Sequence, residues 1–75
     1  MNRLQFIDFL NELKTEYINH PDNWKNKNID DYLDAMISYT EDIQGFYDNT
    51  SQKVDANKPD WKVFADILKG ASIYE

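Results

Sequence analysis

The chain contains no cysteine. That removes any disulfide framework and every thiolate metal site, so a domain of 75 residues has to be held by apolar packing or by a partner. Histidine is almost as scarce, with His20 alone beside Pro21. One imidazole cannot supply the three or four nitrogen and sulfur ligands of zinc, and no serine sits in a recognisable nucleophile turn for it to activate. His20 therefore reads as a solvated residue in a proline turn. Glycine is sparse too. Gly45 and Gly70 stand alone, so no glycine-rich phosphate loop exists, and the polar stretch from Asp48 to Lys58 lacks the central glycine and spaced acids of a calcium-binding EF-hand. No run approaches the roughly 20 apolar residues of a membrane span, and the N-terminus has no apolar export segment. The expectation is one cytoplasmic domain over residues 1–75, with no enzymatic activity, cofactor or metal.

Positive charge is also in short supply. Eight Lys and Arg face fourteen Asp and Glu, a net charge of −6. This balance opposes association with nucleic acid or anionic lipid, and the few lysines are scattered rather than gathered in a stripe. It favours fast encounter with a basic protein.

What the chain does have is aromatic bulk, 15% of its residues, which suits a small core because each ring buries a large area. The apolar residues recur at helical spacing in three stretches, near residues 2–18, 28–44 and 59–71, which predicts an all-α, three-helix domain. The first opens with Asn2-Arg3-Leu4-Gln5, the pattern of a capping box, succeeded by the stripe Phe6, Leu10, Leu13, Tyr17. The second has Asn28 at its N-cap, a stripe of Ile29, Leu33, Met36 and Thr40, and Gly45 as its expected stop. The third carries Trp61, Phe64, Ala65 and Leu68, with Gly70 expected to weaken its end. These stripes place Leu10, Leu13, Leu33, Met36, Trp61, Phe64 and Leu68 in the core, with Trp24 and Trp61 wedging the helix starts.

Two tryptophan-led segments resemble a known family. Trp24-Lys25-Asn26-Lys27-Asn28-Ile29-Asp30-Asp31-Tyr32-Leu33-Asp34-Ala35 is similar to W-x-N-x-[ST]-[LI]-x-[DE]-[FY]-L-[DE]-A, and the stretch from Trp61 to Glu75 is similar to W-x-x-[FL]-A-[DE]-[IL]-L-x-x-A-x-x-Y-E. Together they resemble a family of small acidic bacterial helical proteins of unknown function. Asn28 replaces the usual hydroxyl residue, and Tyr39 stands where the pattern often has Trp. The resemblance implies a shape and brings no catalytic residue, cofactor or ligand. In size and charge such proteins are similar to bacterial immunity and antitoxin proteins.

The second helix holds an anomaly. Asp30, Asp31, Asp34, Glu41 and Asp42 occur with no Lys or Arg between Ile29 and Gly45. Solvated helix faces ordinarily mix signs at i, i+4, whereas Asp30 and Asp34 repel each other at that spacing. The helix dipole favours the first three acids but disfavours Glu41 and Asp42 at the other end. Two readings compete: lysines from elsewhere fold over these acids, or Asp30, Asp34, Glu41 and Asp42 bind a basic protein. The alternative role is a structural or regulatory homodimer formed through surface aromatics. If the acids do not bind a partner, the Phe46-Tyr47 loop is the next candidate contact.

Overall fold

Asn2 starts the first helix as its spacing requires. Its side chain accepts from the Gln5 amide at 2.8 Å while the Gln5 side chain accepts from the Asn2 amide, also at 2.8 Å, closing a capping box. The computed structural model describes residues 1–74. Within them lie three helices, α1 over Arg3–Asn19, α2 over Ile29–Asn49 and α3 over Trp61–Ala71, with one 3-10 turn at Pro21–Asn23 and no strand.

The shortest of the three helices is the central one. Phe6 of α1 packs on Trp61 of α3 at 5.2 Å and Glu16 pairs with Lys69 at 2.6 Å, so α1 and α3 run the same way. On the other flank α2 runs the opposite way, with Tyr39 over Gly70, and Ile43 and Tyr47 packed on Val63. Among the described residues no Cα of α1 comes within 8 Å of one in α2. The flanking helices therefore meet only through α3 and the linker between them.

That linker docks the end of α3. The Lys25 and Asn26 amides donate to the Ser72 carbonyl at 2.9 and 3.3 Å, and Asn26 Nδ2 donates to the carbonyls of Ala71 and Tyr74 at 2.8 and 2.6 Å. These bonds satisfy carbonyls that a helix C-terminus leaves without partners. Trp24 is buried beside them, edge-on to Tyr17 at 4.9 Å and stacked on Tyr32 at 5.4 Å.

Gly45 does not stop α2, which continues to Asn49. Gly45 has open space around it, and its helix-breaking cost of about 1 kcal/mol is outweighed by contacts that Gln44 and Tyr47 make beside it. Tyr47 is fully buried, and Gln44 grips the next segment, donating to the Val54 carbonyl at 2.9 Å and accepting from the Ala56 amide at 2.7 Å. The true stop is Ser51, in the left-handed region at φ 58°. The Ser51 amide donates to the Asp48 carbonyl and the Gln52 amide to the Tyr47 carbonyl, a Schellman closure built without glycine. Asn28 does stand at the N-cap of α2, but its side chain caps no amide, and donates instead to Asp31 at 3.4 Å.

The core differs from the one the apolar stripes predict. Leu13 is buried, Met36 and Leu68 are half-buried, and Leu10, Leu33, Trp61 and Phe64 remain 40%, 49%, 38% and 40% exposed. The inward face of α2 carries Ala35, Tyr39, Ile43 and Tyr47 instead, with Tyr32 at its start. Tyrosine wins these places because each ring covers apolar area while its hydroxyl finds an acceptor: Tyr32 in the Leu68 carbonyl at 2.6 Å, Tyr47 in Asp66 at 2.6 Å. Gly70 is not a weak point but a seat. A Cβ there would stand 2.2 Å from Tyr39 Cζ, so the Tyr39 ring lies directly on the helix backbone.

This geometry predicts the outcome of two sets of substitutions. Gly45→Ala and Ser51→Gly should each stabilise the fold by about 1 kcal/mol, whereas Gly70→Ala should destabilise it by about 1–3 kcal/mol despite its better helix propensity. Urea denaturation measures all three, and a stabilising Gly70→Ala would refute the Tyr39 seat. Ile43→Ala should cost about 2–5 kcal/mol by leaving a cavity, while Leu33→Ala should cost less than about 1 kcal/mol because much of that side chain is already in water. Equal losses at the two positions would place the core on the wrong face of α2.

Candidate interaction surface

The acids of α2 all lie exposed. At 100° per residue Asp30, Asp34 and Glu41 fall within a narrow sector on the side away from Ile43 and Tyr47, and form one ridge along the helix. Asp42 lies off that line and accepts a hydrogen bond from the Tyr74 hydroxyl. The same bond, with the Asp42 charge behind it, pushes the Tyr74 phenol above its ordinary range. Asp31 is occupied by Asn28. Among the described residues the ion pairs join Lys62 to Asp66, Lys69 to Glu16 and Lys27 to Asp22, and none reaches an acid of α2. Among the described residues no Lys or Arg is ion-paired with Asp30, Asp34 or Glu41.

Beside the ridge runs an apolar strip. Ile29, Leu33 and Ile37, at i, i+4 and i+8, are 72%, 49% and 61% exposed. Sequence periodicity groups Ile29 and Leu33 in one stripe but places Leu33 in the core, since apolar spacing is the same whether a stripe faces a core or is left open. The strip borders a groove of about 360 Å³ between α1 and α2, where Leu68 of α3 forms part of the floor. Leu10, Leu13 and Tyr17 line one side and Tyr32 and Ile29 the other, with Lys14 and Lys27 also in the lining and no carboxylate among them. The groove lies where, among the described residues, no Cα of α1 comes within 8 Å of one in α2. Trp24 is part of its lining, and its indole N–H is buried without a hydrogen-bond partner.

No reactive constellation accompanies this surface. His20 is exposed in the 3-10 turn region, and among the described residues no three His, Asp or Glu side chains are placed to hold a metal ion. No helix among them is long and apolar enough to cross a membrane. The Phe46-Tyr47 pair lies in α2 rather than a loop, and Tyr47 is withdrawn from contact as the centre of the core.

The most perturbed phenol is structural. Burial first, then the bond to Asp66 and that carboxylate's charge, hold the Tyr47 hydroxyl protonated far above the usual range. Lys62 completes the unit, donating to the same Asp66 oxygen at 2.7 Å and lying 5.0 Å from the centre of the Tyr47 ring. Burial also raises Tyr32, and burial with the Asp66 charge raises Tyr39.

A model of a family of unknown function, DUF7660, matches residues 2–75. The chain belongs to that family. No curated protein and no solved structure matches it. In this DUF7660 member the tryptophan-led segments have plain architectural work. Trp24 fills the linker, Asn26 caps α3, Tyr32 bonds to α3, Ala65 and Ala71 are buried, and Asp66 receives Tyr47.

The raised phenols set the alkaline limit. Their folded values lie above the unfolded value near 10, so their contribution is complete below about pH 10 and is lost as pH rises toward the folded values. The melting temperature should hold steady from neutrality to about pH 9 and fall beyond pH 10. Tyr47→Phe should lower it at pH 8 by removing a bond to a charged acceptor, at a cost of about 1–3 kcal/mol, and should flatten the alkaline fall. A parent protein with an unchanged melting temperature through pH 11 would contradict this account.

Proposed function

We propose that this chain is a protein-interaction module of the immunity or antitoxin type, and that the acidic ridge of α2 captures a basic protein. The observation that carries the reading is the exposed line of Asp30, Asp34 and Glu41, with Asp42 beside it, to which no Lys or Arg among the described residues is paired. Repulsion between neighbouring acids costs a few tenths of a kcal/mol per pair, and the helix dipole that offsets it for Asp30 and Asp34 in the first turns works against Glu41. A basic partner compensates it from outside, speeds encounter and rejects acidic competitors. The apolar strip next to the ridge adds area that excludes water, which charge alone on an exposed helix does not. The chemistry of this surface is recognition. No acid, base and nucleophile converge on it, and the reading assigns no enzymatic step to the chain.

The test is a charge reversal on the ridge. Asp34→Lys combined with Glu41→Lys should keep the helical content and leave stability unchanged or slightly higher, because neither carboxylate is paired with a cation among the described residues. Capture of partners from the cell of origin, read by mass spectrometry of bound proteins, should fall for basic proteins, and the remaining binding should lose its salt dependence. An unchanged set of bound basic proteins refutes the ridge as the binding surface.

A further inference from the structure

We infer that the groove between α1 and α2 is covered by a second copy of this chain, whose α2 strip of Ile29, Leu33 and Ile37 lies along it in a two-fold arrangement. Exposed area points there first. The chain exposes 5452 Å², whereas a folded monomer of its 8.9 kDa exposes about 4,800 Å². The excess of roughly 600 Å² approaches the ~800 Å² that each partner contributes to a standard specific interface. The open groove and the strip of three aliphatic side chains beside it are part of the exposed apolar surface that an association would cover.

Charge points the same way. Two chains of net charge −6 repel one another unless the contact is locally complementary. The groove offers Lys14, together with Lys27 in its pair with Asp22, and has no carboxylate in its lining, while Asp30 and Asp34 come directly after Ile29 and Leu33 in sequence. An α2 helix laid on the groove brings apolar side chains to an apolar floor and acids toward lysines, as amphipathic helices dock in grooves elsewhere. The two surfaces also close on each other. Ile29 belongs both to the strip and to the groove lining, so the donating and receiving surfaces are contiguous. Contiguity is what a two-fold, self-complementary contact requires, because each copy then gives and receives at once and no free edge remains. Such a dimer engages the first turns of α2, Asp30 and Asp34 among them, and leaves Glu41 of both copies open to a further partner.

Sedimentation equilibrium of the purified chain tests this without any partner. The mass should rise with concentration from 8.9 kDa to twice that value, with a dissociation constant on the order of micromolar. Ile29→Glu with Ile37→Glu should weaken association at least about tenfold while circular dichroism stays helical, since both side chains are largely in water in the single chain. Leu4→Glu, at a residue 64% exposed and outside the groove lining, should leave the dimer intact. If the strip variant fails to fold, Lys14→Glu reads the same contact, and should weaken association several-fold. A parent chain that stays at single-chain mass near millimolar concentration overturns the inference. So does a dimer that resists both the strip and the Lys14 substitutions, or one that Leu4→Glu breaks equally.

Discussion

Each flanking helix is held by α3, and neither holds the other. Eleven residues from Trp61 to Ala71 thus have to present two packing faces. Toward α1 they show Trp61 and Lys69, which meet Phe6 and Glu16. Toward α2 they show Val63, Asp66, Ile67 and Gly70, which meet Ile43, Tyr47 and Tyr39. A helix of this length standing alone is marginal in water, so its stability and that of its neighbours are one quantity. The tyrosines make this workable. A hydroxyl at the end of a large ring reaches an acceptor across a helix pair, and so Tyr32 and Tyr47 join packing area to hydrogen bonds that fix the position of α2 on α3.

The same constraint produces the surface. A third helix pair, α1 on α2, would bury Leu10, Ile29 and Leu33 and would hide the groove. The linker forbids it, because Trp24 stands with Tyr17 on one side and Tyr32 on the other, and Asn26 is tied to the end of α3. The wedge that stabilises the α3 terminus holds the groove open. Stability and exposure come from one set of contacts, which is how a chain of this size can keep apolar side chains in water without losing its fold.

Charge is organised by the same division. The acids used for structure, Asp66 on α3 and Glu16 facing it from α1, are paired with Lys62 and Lys69. Those of the α2 ridge lie away from α3, where no cation among the described residues is paired with them. Because half-exposed surface pairs contribute little, the lysines matter more by where they stand than by energy. They complete the α3 contacts and leave the outer face of α2 with a single sign.

Much of the fold was written in the sequence in local terms. Three stretches of helical periodicity and the Asn2–Gln5 capping box each act within a turn or two of chain, so spacing alone exposes them. The acidic character of α2 was legible for the same reason, since it depends only on which residues lie between Ile29 and Gly45. What only the tertiary structure decided was which stripe faces inward. Ile29, Leu33 and Ile37 obey the same spacing as Ala35, Ile43 and Tyr47, and a period of 3.6 residues carries no sign of where the neighbouring helix stands. The end of α2 was likewise set from outside. Gly45 is a weak local stop, overridden by Tyr47 buried on Val63 and by Gln44 bonded to residues 54 and 56, all contacts across a loop or between helices. Local chemistry determined that there would be three helices and where each begins. Long-range packing on α3 determined which faces met, which stayed open, and therefore where this protein offers a surface.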